Sequence, residues 1–200
     1  MTLETRRVPK QQRSRERYER ILEAARGLIA EHGNDAVSMR EIADHAKMGI
    51  SSVYQYFPDK NALLWTLISA HFESIETRWH IVLEKVDNIA QLNAAALWLF
   101  DEFVQLCESD PAFARLWGSV QANVVLNELD RDLNRRIAGS FTAKAQALAQ
   151  TLNTEAVWRN TYLLASLSST ALQLAFAEPA HRNALLDDFR RLIATQALTE

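Results

Sequence analysis

The stretch from residue 38 to residue 60, SMREIADHAKMGISSVYQYFPDK, constrains the fold more than any other part of the chain. Ser38 and Glu41 have the S-x-x-E spacing of a capping box, which satisfies two backbone amides where a helix begins. Gly49 interrupts this helical pattern, and Pro58 ends the next one because proline lacks the amide hydrogen that a helix interior needs. The stretch therefore predicts two short helices joined by a tight turn.

The two helices differ in character, and this difference is typical of a DNA-reading helix-turn-helix. The first has an apolar face to bury, whereas the second carries short hydroxyl and amide side chains suited to base edges and phosphates. Tyrosine hydroxyls and a lysine at the next helix start favour phosphate contacts. The predicted DNA-binding residues are Ser38, Arg40, Ser51, Ser52, Tyr54, Gln55, Tyr56 and Lys60. The alternative interpretation is an ordinary helical hairpin with exposed tyrosines.

The pattern over residues 13–64 closely resembles the DNA-binding domain of the TetR family of bacterial transcriptional regulators. The matching residues are Arg17, Ile21, Leu22, Ala24, Ala25, Leu28, Gly33, Ile42, Ala43, Ala46, Val53, Tyr54, Tyr56, Phe57, Lys60, Leu63 and Leu64. The resemblance implies that Tyr54 and Lys60 contact phosphates. It also implies that Ser51, Ser52 and Gln55 lie on the recognition helix.

Three positions in the turn depart from the family pattern. Lys47 stands where the turn usually has glycine, Gly49 where serine or threonine commonly caps the recognition helix, and Ser51 where glycine is common. A cap replaced by glycine costs only a few tenths of a kcal/mol, so we expect the helix-turn-helix to survive these changes.

The composition favours an all-α chain that carries a buried core. The 200 residues are 48% hydrophobic and include only five glycines and four prolines, with no Asn-Gly or Asp-Gly hairpin signal. Cys107 is the only cysteine, which excludes an internal disulfide and fits a reducing cytoplasm. The longest uncharged run, residues 160–177, is too polar to span a membrane. No N-terminal apolar run precedes a cleavage site, so we expect no signal peptide. We therefore expect a cytoplasmic protein without a membrane partner.

The net charge of −3 is unevenly distributed along the chain. Residues 1–60 contain 11 Lys and Arg against 9 Asp and Glu, whereas residues 61–200 contain 11 against 16. The basic excess is largest at the start, which includes Arg6, Arg7, Lys10, Arg13, Arg15, Arg17 and Arg20. Basic arms of this kind lie along phosphates or in a minor groove. We predict a basic flexible arm over residues 1–14, with a solvated tail as the alternative.

Helical periodicity predicts about nine helices in two domains after this arm. Residues 15–60 form the helix-turn-helix domain, and a first helix over 15–32 completes its three helices. Residues 61–200 form a second helical domain, for which the family resemblance implies ligand binding and dimerisation. Its predicted helices span 59–86, 88–108, 112–126, 130–152, 155–177 and 179–198, and Asp110-Pro111 marks the start of the third.

The family resemblance implies a pocket whose small-molecule effector changes the separation of two DNA-reading heads. A mostly apolar cavity with a few amides suits a hydrophobic or aromatic ligand. The candidate pocket residues are Trp79, Trp98, Phe103, Phe113, Trp117, Gln121 and Asn123. Each of them is also explained by ordinary core packing, since aromatic residues at helical spacing usually pack.

The resemblance also implies a homodimer in which the last two helices of each chain form a four-helix interface. Small residues on an uncharged helix permit this close approach. The predicted contacts are Leu164, Leu167, Ala171, Leu174, Leu185, Phe189 and Leu192. The alternative is that both helices pack on the core of their own chain.

Together with the family resemblance, these observations predict a ligand-responsive repressor that binds a palindromic operator as a homodimer. The sequence contains no HExxH, GxSxG, Walker or Rossmann pattern, so we predict neither an enzyme nor a catalytic residue. His71 and His80 lie too far apart to form an i, i+4 metal pair, and we predict no metal or cofactor. An all-α ligand-binding or scaffold dimer without sequence-specific DNA binding is the alternative function.

Overall fold

The computed structural model describes residues 11–118 and 123–198 and contains nine α-helices, with no strand, within those ranges. The predicted all-α class is confirmed. The helices are α1 (Gln12–His32), α2 (Met39–His45), α3 (Ile50–Tyr56), α4 (Lys60–Glu84), α5 (Ile89–Ser109), α6 (Pro111–Gly118), α7 (Val124–Leu148), α8 (Thr154–Ala177) and α9 (Arg182–Gln196). Throughout the described ranges, each helix is either too short or too polar to cross a bilayer.

The chain divides into two compact units. The first comprises residues 1–71 and 107–127, and the second comprises residues 72–106 and 128–200. The first unit holds α1, α2, α3 and α6 together with the beginning of α4, and the second holds α8 and α9. The segment around α6 therefore groups with the N-terminal helices, so the compact units do not follow the functional boundary expected at residue 60.

The core of the first unit is built from the inward faces of its N-terminal helices. Ile21 and Ile29 of α1, Ile42 of α2 and Val53 of α3 are fully buried. Helix α1 ends at His32 and is followed by Gly33, whose positive φ of 81° is a conformation that favours glycine. The amide of Gly33 donates to the carbonyl of Ile29 at 2.9 Å. The predicted three-helix arrangement and the glycine at its first helix end are both observed.

The predicted flexible arm is too long at its C-terminal end. Helix α1 begins at Gln12, so residues 12–14 are helical rather than part of an arm. The amides of Ser14 and Arg15 donate to the carbonyl of Gln11 at 3.0 and 2.9 Å, which closes the first turn. Arg6, Arg7 and Lys10 lie outside the described residues.

The prediction of one helix over residues 112–126 is wrong, as is the predicted start of the next helix at residue 130. Helix α6 ends at Gly118, and α7 already begins at Val124. The side-chain oxygen of Asn123 accepts from the amide of Leu126 at 3.2 Å, so this asparagine caps α7. The cap lies within an apolar run, where hydrophobic periodicity does not reveal it. Asp110 caps α6 as predicted, accepting from the amides of Ala112 and Phe113 at 3.0 and 3.1 Å.

Candidate nucleic-acid interface

The capping box predicted at the start of α2 is present. The backbone amide and the hydroxyl of Ser38 both donate to a carboxylate oxygen of Glu41 at 2.7 Å, and the amide of Glu41 donates back to the Ser38 hydroxyl oxygen at 3.2 Å. These bonds hold the pKa of Glu41 below its usual value. The hydroxyl hydrogen of Ser38 is therefore engaged by Glu41, and this residue orients α2 at the predicted interface.

The turn between α2 and α3 places its unusual backbone conformation at Lys47. Lys47 has a φ of 54°, whereas the φ of Gly49 is an ordinary −66°. The amide of Met48 donates to the carbonyl of Ala43 at 2.9 Å and closes the turn. Position 47, where the family usually has glycine, is thus the position whose positive φ favours glycine. Gly49 is the N-cap of α3 and makes no side-chain capping bond.

The left-handed backbone of Lys47 predicts a stabilising substitution. A non-glycine residue in this conformation costs about 1 to 2 kcal/mol, part of which the greater freedom of glycine in the unfolded chain offsets. We expect Lys47→Gly to raise the free energy of unfolding by about 0.5 to 1 kcal/mol, measured by urea denaturation. Lys47→Ala is the control, because it removes the charge but keeps the strain. Equal stability of the two variants would contradict the explanation.

Helix α3 presents a polar face on the side opposite its anchor. Val53 is buried, whereas Ser51, Tyr54 and Gln55 are exposed and share one side of the helix at a spacing of three to four residues. Ser52 is half-buried on a flank. The exposed face carries hydroxyl and amide groups of the kind that meets base edges and phosphates in a major groove.

Tyr56 joins α3 to α1. Its hydroxyl makes a hydrogen bond of 3.0 Å with the hydroxyl of Ser14, and its ring lies edge-on to Tyr18 with centroids 6.3 Å apart. Tyr18 in turn stacks on Phe57 at 5.0 Å. Although we predicted a phosphate contact for Tyr56, its half-buried side chain bridges two helices of the domain.

The start of α4 places a cation beside the helix-turn-helix. The carboxylate of Asp59 accepts from the amide of Ala62 at 2.8 Å, which is the N-cap predicted from the sequence. The ammonium of Lys60 donates to the backbone carbonyl of Asn34, and burial lowers the pKa of this half-buried lysine. An ammonium has three donors, so this bond leaves two for a phosphate. Arg40 on α2 is exposed.

The exposed leucines of α8 coincide only in part with the predicted dimer contacts. Leu164 is buried, and so is Phe189, whose ring lies 4.9 Å from that of Phe100. Both pack in the core of their own chain, and their part in a dimer contact stays a prediction. Leu163 was missed, yet it is 56% exposed and lies on one stripe with exposed Leu167 and with Leu174, which is 53% exposed. Leu192 on α9 is also exposed, and Ala171 and Leu185 are half-buried.

The candidate pocket residues divide between the two compact units. Trp79, Trp98 and Phe103 belong to the second unit, Phe113, Trp117 and Asn123 belong to the first, and Gln121 lies outside the described residues. The aromatic members are buried except for Trp98, which is half-buried. The indole of Trp79 stacks on Phe141 and donates to the hydroxyl of Ser140 at 2.9 Å. Their role in binding an effector stays a prediction.

A buried polar pair on α7 was missed by the sequence reasoning. Asp130 is 4% exposed, and its carboxylate accepts from the side-chain amide nitrogen of Asn134 at 3.1 Å. Burial raises the pKa of Asp130 from 3.8 to about 6. Helical spacing could have revealed this burial. Leu126 lies four residues before Asp130 and Leu133 three residues after it, so both buried leucines share its helix face.

Comparison with protein families gives two matches. Residues 21–65 match the model described as bacterial regulatory proteins of the tetR family. Residues 90–200, more than half of the chain, match the model described as a tetracyclin repressor-like C-terminal domain. Together the models cover the helix-turn-helix and all helices from α6 to α9.

Relatives and solved structures agree with these models. The HTH-type transcriptional repressor KstR of Rhodococcus jostii is 39% identical over 64 residues, which span 32% of this chain and 30% of that protein. FadR of Bacillus subtilis, solved with stearoyl-CoA, is 15% identical with a TM-score of 0.69, covering 90% of this chain and 98% of that one. RolR, solved with resorcinol, is 21% identical with a TM-score of 0.61, covering 92% and 96%. Both structures share the fold of this chain.

The residues that form α2, the turn and α3 are thus matched by one model of the family, and the helical C-terminal part is matched by another. The match of the C-terminal model over 111 residues, added to that of the N-terminal model over α2 and α3, establishes the family of the whole chain. The protein is a member of the TetR family of bacterial transcriptional regulators.

Proposed function

We propose that the protein represses transcription by binding a palindromic operator as a homodimer in the cytoplasm, and that a hydrophobic or aromatic small molecule releases it. The observation that carries the DNA-binding part is the exposed polar face of α3. Ser51, Tyr54 and Gln55 point away from the buried Val53, on a helix held to α1 by Tyr56. The repressor KstR, which matches this region, supports the same assignment.

The dimer part of the proposal is supported by the geometry of DNA reading and by the exposed leucines. One helix-turn-helix reads one half-site, and two copies related by a dyad read half-sites about 34 to 36 Å apart. Leu163, Leu167, Leu174 and Leu192 offer an apolar surface on α8 and α9 of the second unit. A second copy of the chain is the partner that covers such a surface and supplies the second reading head at once.

The effector part of the proposal draws on the aromatic residues and on the structural neighbours. FadR was solved with stearoyl-CoA and RolR with resorcinol, so the fold accommodates an acyl chain in one protein and an aromatic ring in another. A ligand releases the operator only if it binds the form with low DNA affinity more tightly. An apolar lining of aromatic side chains suits ligands of either kind.

Selection of binding sites from a random double-stranded DNA pool tests the proposal. We expect the purified protein to recover an inverted repeat, bound with an affinity that falls steeply as salt rises, because phosphate contacts release counterions. The same selection after denaturation and refolding removes any effector carried through purification. Recovery of no repeat from the refolded protein would favour a scaffold dimer without sequence-specific DNA binding.

Substitutions at the predicted phosphate contacts should weaken operator binding without unfolding the protein. We expect Tyr54→Phe to lower the affinity about 10-fold, since the hydroxyl of an exposed tyrosine donates to a charged oxygen. Lys60→Ala should also reduce the slope of log K against log salt by about 1. Fluorescence anisotropy with the selected operator measures both effects.

Tyr56→Phe is the matched control for Tyr54→Phe. It removes a hydroxyl from the same helix, but this hydroxyl is engaged by Ser14, so the loss should appear as about 1 kcal/mol in the free energy of unfolding. Unchanged operator affinity in the Tyr54→Phe variant would show that the exposed tyrosine does not contact DNA.

A further inference from the structure

A hydrogen bond between two asparagines joins the beginning of α4 to the beginning of α7. The side-chain amide nitrogen of Asn123 donates to the side-chain oxygen of Asn61 at 3.0 Å, across 62 positions of the sequence. Both side chains are half-buried, and both residues belong to the first compact unit. The oxygen of the same Asn123 side chain accepts from the amide of Leu126 and caps α7. One amide group thus holds two helix starts together.

The bond reaches the predicted DNA interface through adjacent residues. Asn61 directly follows Lys60, which donates to the carbonyl of Asn34, and Asp59 caps the same helix start. The first turn of α4 is therefore held by three contacts: its own cap, the carbonyl of Asn34 in the loop between α1 and α2, and the side chain of Asn123. A shift of the α7 start would move the backbone that carries Lys60.

A second polar contact holds the other end of the same segment. The imidazole of His71 on α4 lies 3.2 Å from a carboxylate oxygen of Asp110, whose other oxygen caps α6. The ring of His71 also lies 5.0 Å from that of Phe113. Asp110, just before α6, thus contacts α4 at His71, and Asn123, just before α7, contacts α4 at Asn61. The two positions on α4 are ten residues apart.

Capping alone does not account for asparagine at position 123. A cap needs only an oxygen acceptor, and serine supplies one as well as asparagine does. The nitrogen of the Asn123 amide, which capping does not use, is the atom that contacts Asn61. The geometry of the whole side chain therefore indicates a role in fixing α4 in addition to the role in starting α7.

We infer that Asn61 and Asn123 are positioning residues for operator binding: their hydrogen bond sets the place of the first turn of α4, and with it the ammonium of Lys60. This inference rests on the proposed function. It also gives a route by which a change at the start of α7 alters DNA affinity, because the bond couples that helix start directly to a phosphate contact.

A double-mutant cycle tests the inference on the full-length protein. The variants are Asn61→Ala, Asn123→Ser, which keeps a good cap but removes the amide nitrogen, and the double variant. Operator affinity is measured by fluorescence anisotropy with the inverted repeat recovered in the selection, well below the unfolding midpoint of every variant. We expect each single variant to bind about 5-fold more weakly, and the double variant no more weakly than either single variant.

Asn153→Ser is the matched control. Asn153 caps α8 by accepting from the amide of Ala156 at 3.2 Å, so the substitution makes the same chemical change at another helix start. We expect it to leave operator affinity unchanged. The salt slope adds a readout that a purely structural role would not move, since displacement of Lys60 should reduce it in both single variants.

The outcomes separate the inference from the proposed function. If the wild-type protein binds the operator and Asn61→Ala and Asn123→Ser bind it equally well, the inference is overturned but the proposed function is not. Additive losses in the double variant would also overturn it, because the two side chains would then act independently. A wild-type protein that selects no operator would overturn the proposed function and the inference together.

Discussion

Replacing both Leu163 and Leu174 by arginine should convert the proposed dimer to a monomer and weaken operator binding at least about 100-fold. Each leucine is more than half exposed in the single chain, and burying such a side chain contributes about 1.5 to 3 kcal/mol. Four arginines at a two-fold interface would instead bring unpaired charges together. Binding two half-sites through one dimer gains a factor of about 100 to 10,000 over binding one, and the monomer loses that gain.

Sedimentation velocity and operator titration measure the two effects on the same sample. Ile81→Arg is the control, because Ile81 is a 48% exposed apolar residue of α4 that lies outside the leucine surface. This variant should remain dimeric and bind normally. A double arginine variant that still sediments as a dimer, or a monomer that keeps full operator affinity, would contradict the proposed interface.

Replacing Asp130 by asparagine should stabilise the protein at pH 8 by about 3 kcal/mol. Burial raises the pKa of this carboxyl from 3.8 to about 6. Each pKa unit corresponds to about 1.4 kcal/mol of free energy, so the whole shift corresponds to about 3 kcal/mol. The folded state therefore binds the proton more tightly than the unfolded state does. Stability from this group is highest below pH 4 and is lost as the pH rises through about 6, because the charged form is then buried.

The asparagine variant lacks this charge and keeps an oxygen that accepts from Asn134. Urea denaturation at pH 8, 6.5 and 5 should show the stability difference between variant and wild type shrinking as the pH falls. Asp132→Asn is the matched control on the same helix, since Asp132 is exposed and pairs with Arg135. A difference of the same size at all three pH values would show that packing, rather than charge, sets the effect.

The DNA-reading part of the fold could be predicted closely from the sequence. The capping box at Ser38, the cap at Asp59 and the end of α1 at Gly33 are all local signals, in which the residues involved lie within four positions of one another. Such signals depend on hydrogen bonds within a single turn. The positions of α1, α2 and α3 therefore followed from local chemistry before any packing was known.

Some predicted site residues have partners far away in the sequence. Tyr56 was expected on phosphate, and Ser14 engages its hydroxyl across 42 positions. Asn123 was expected in a pocket, and it contacts Asn61 across 62 positions. Leu164 and Leu163 are adjacent leucines, and only their burial distinguishes the core residue from the exposed one. Composition and periodicity carry no information about such partners.

The sequence by itself determined the all-α class, the helix-turn-helix and the family, because helix caps, turn residues and apolar periodicity act over short distances along the chain. The tertiary structure decided which side of α8 is exposed, where α7 begins, and which polar groups are held by distant partners. These features depend on the rotation of each helix about its axis and on contacts that form only when helices pack. A shift of one residue turns a helical side chain by about 100°, enough to move a leucine from the core to the surface.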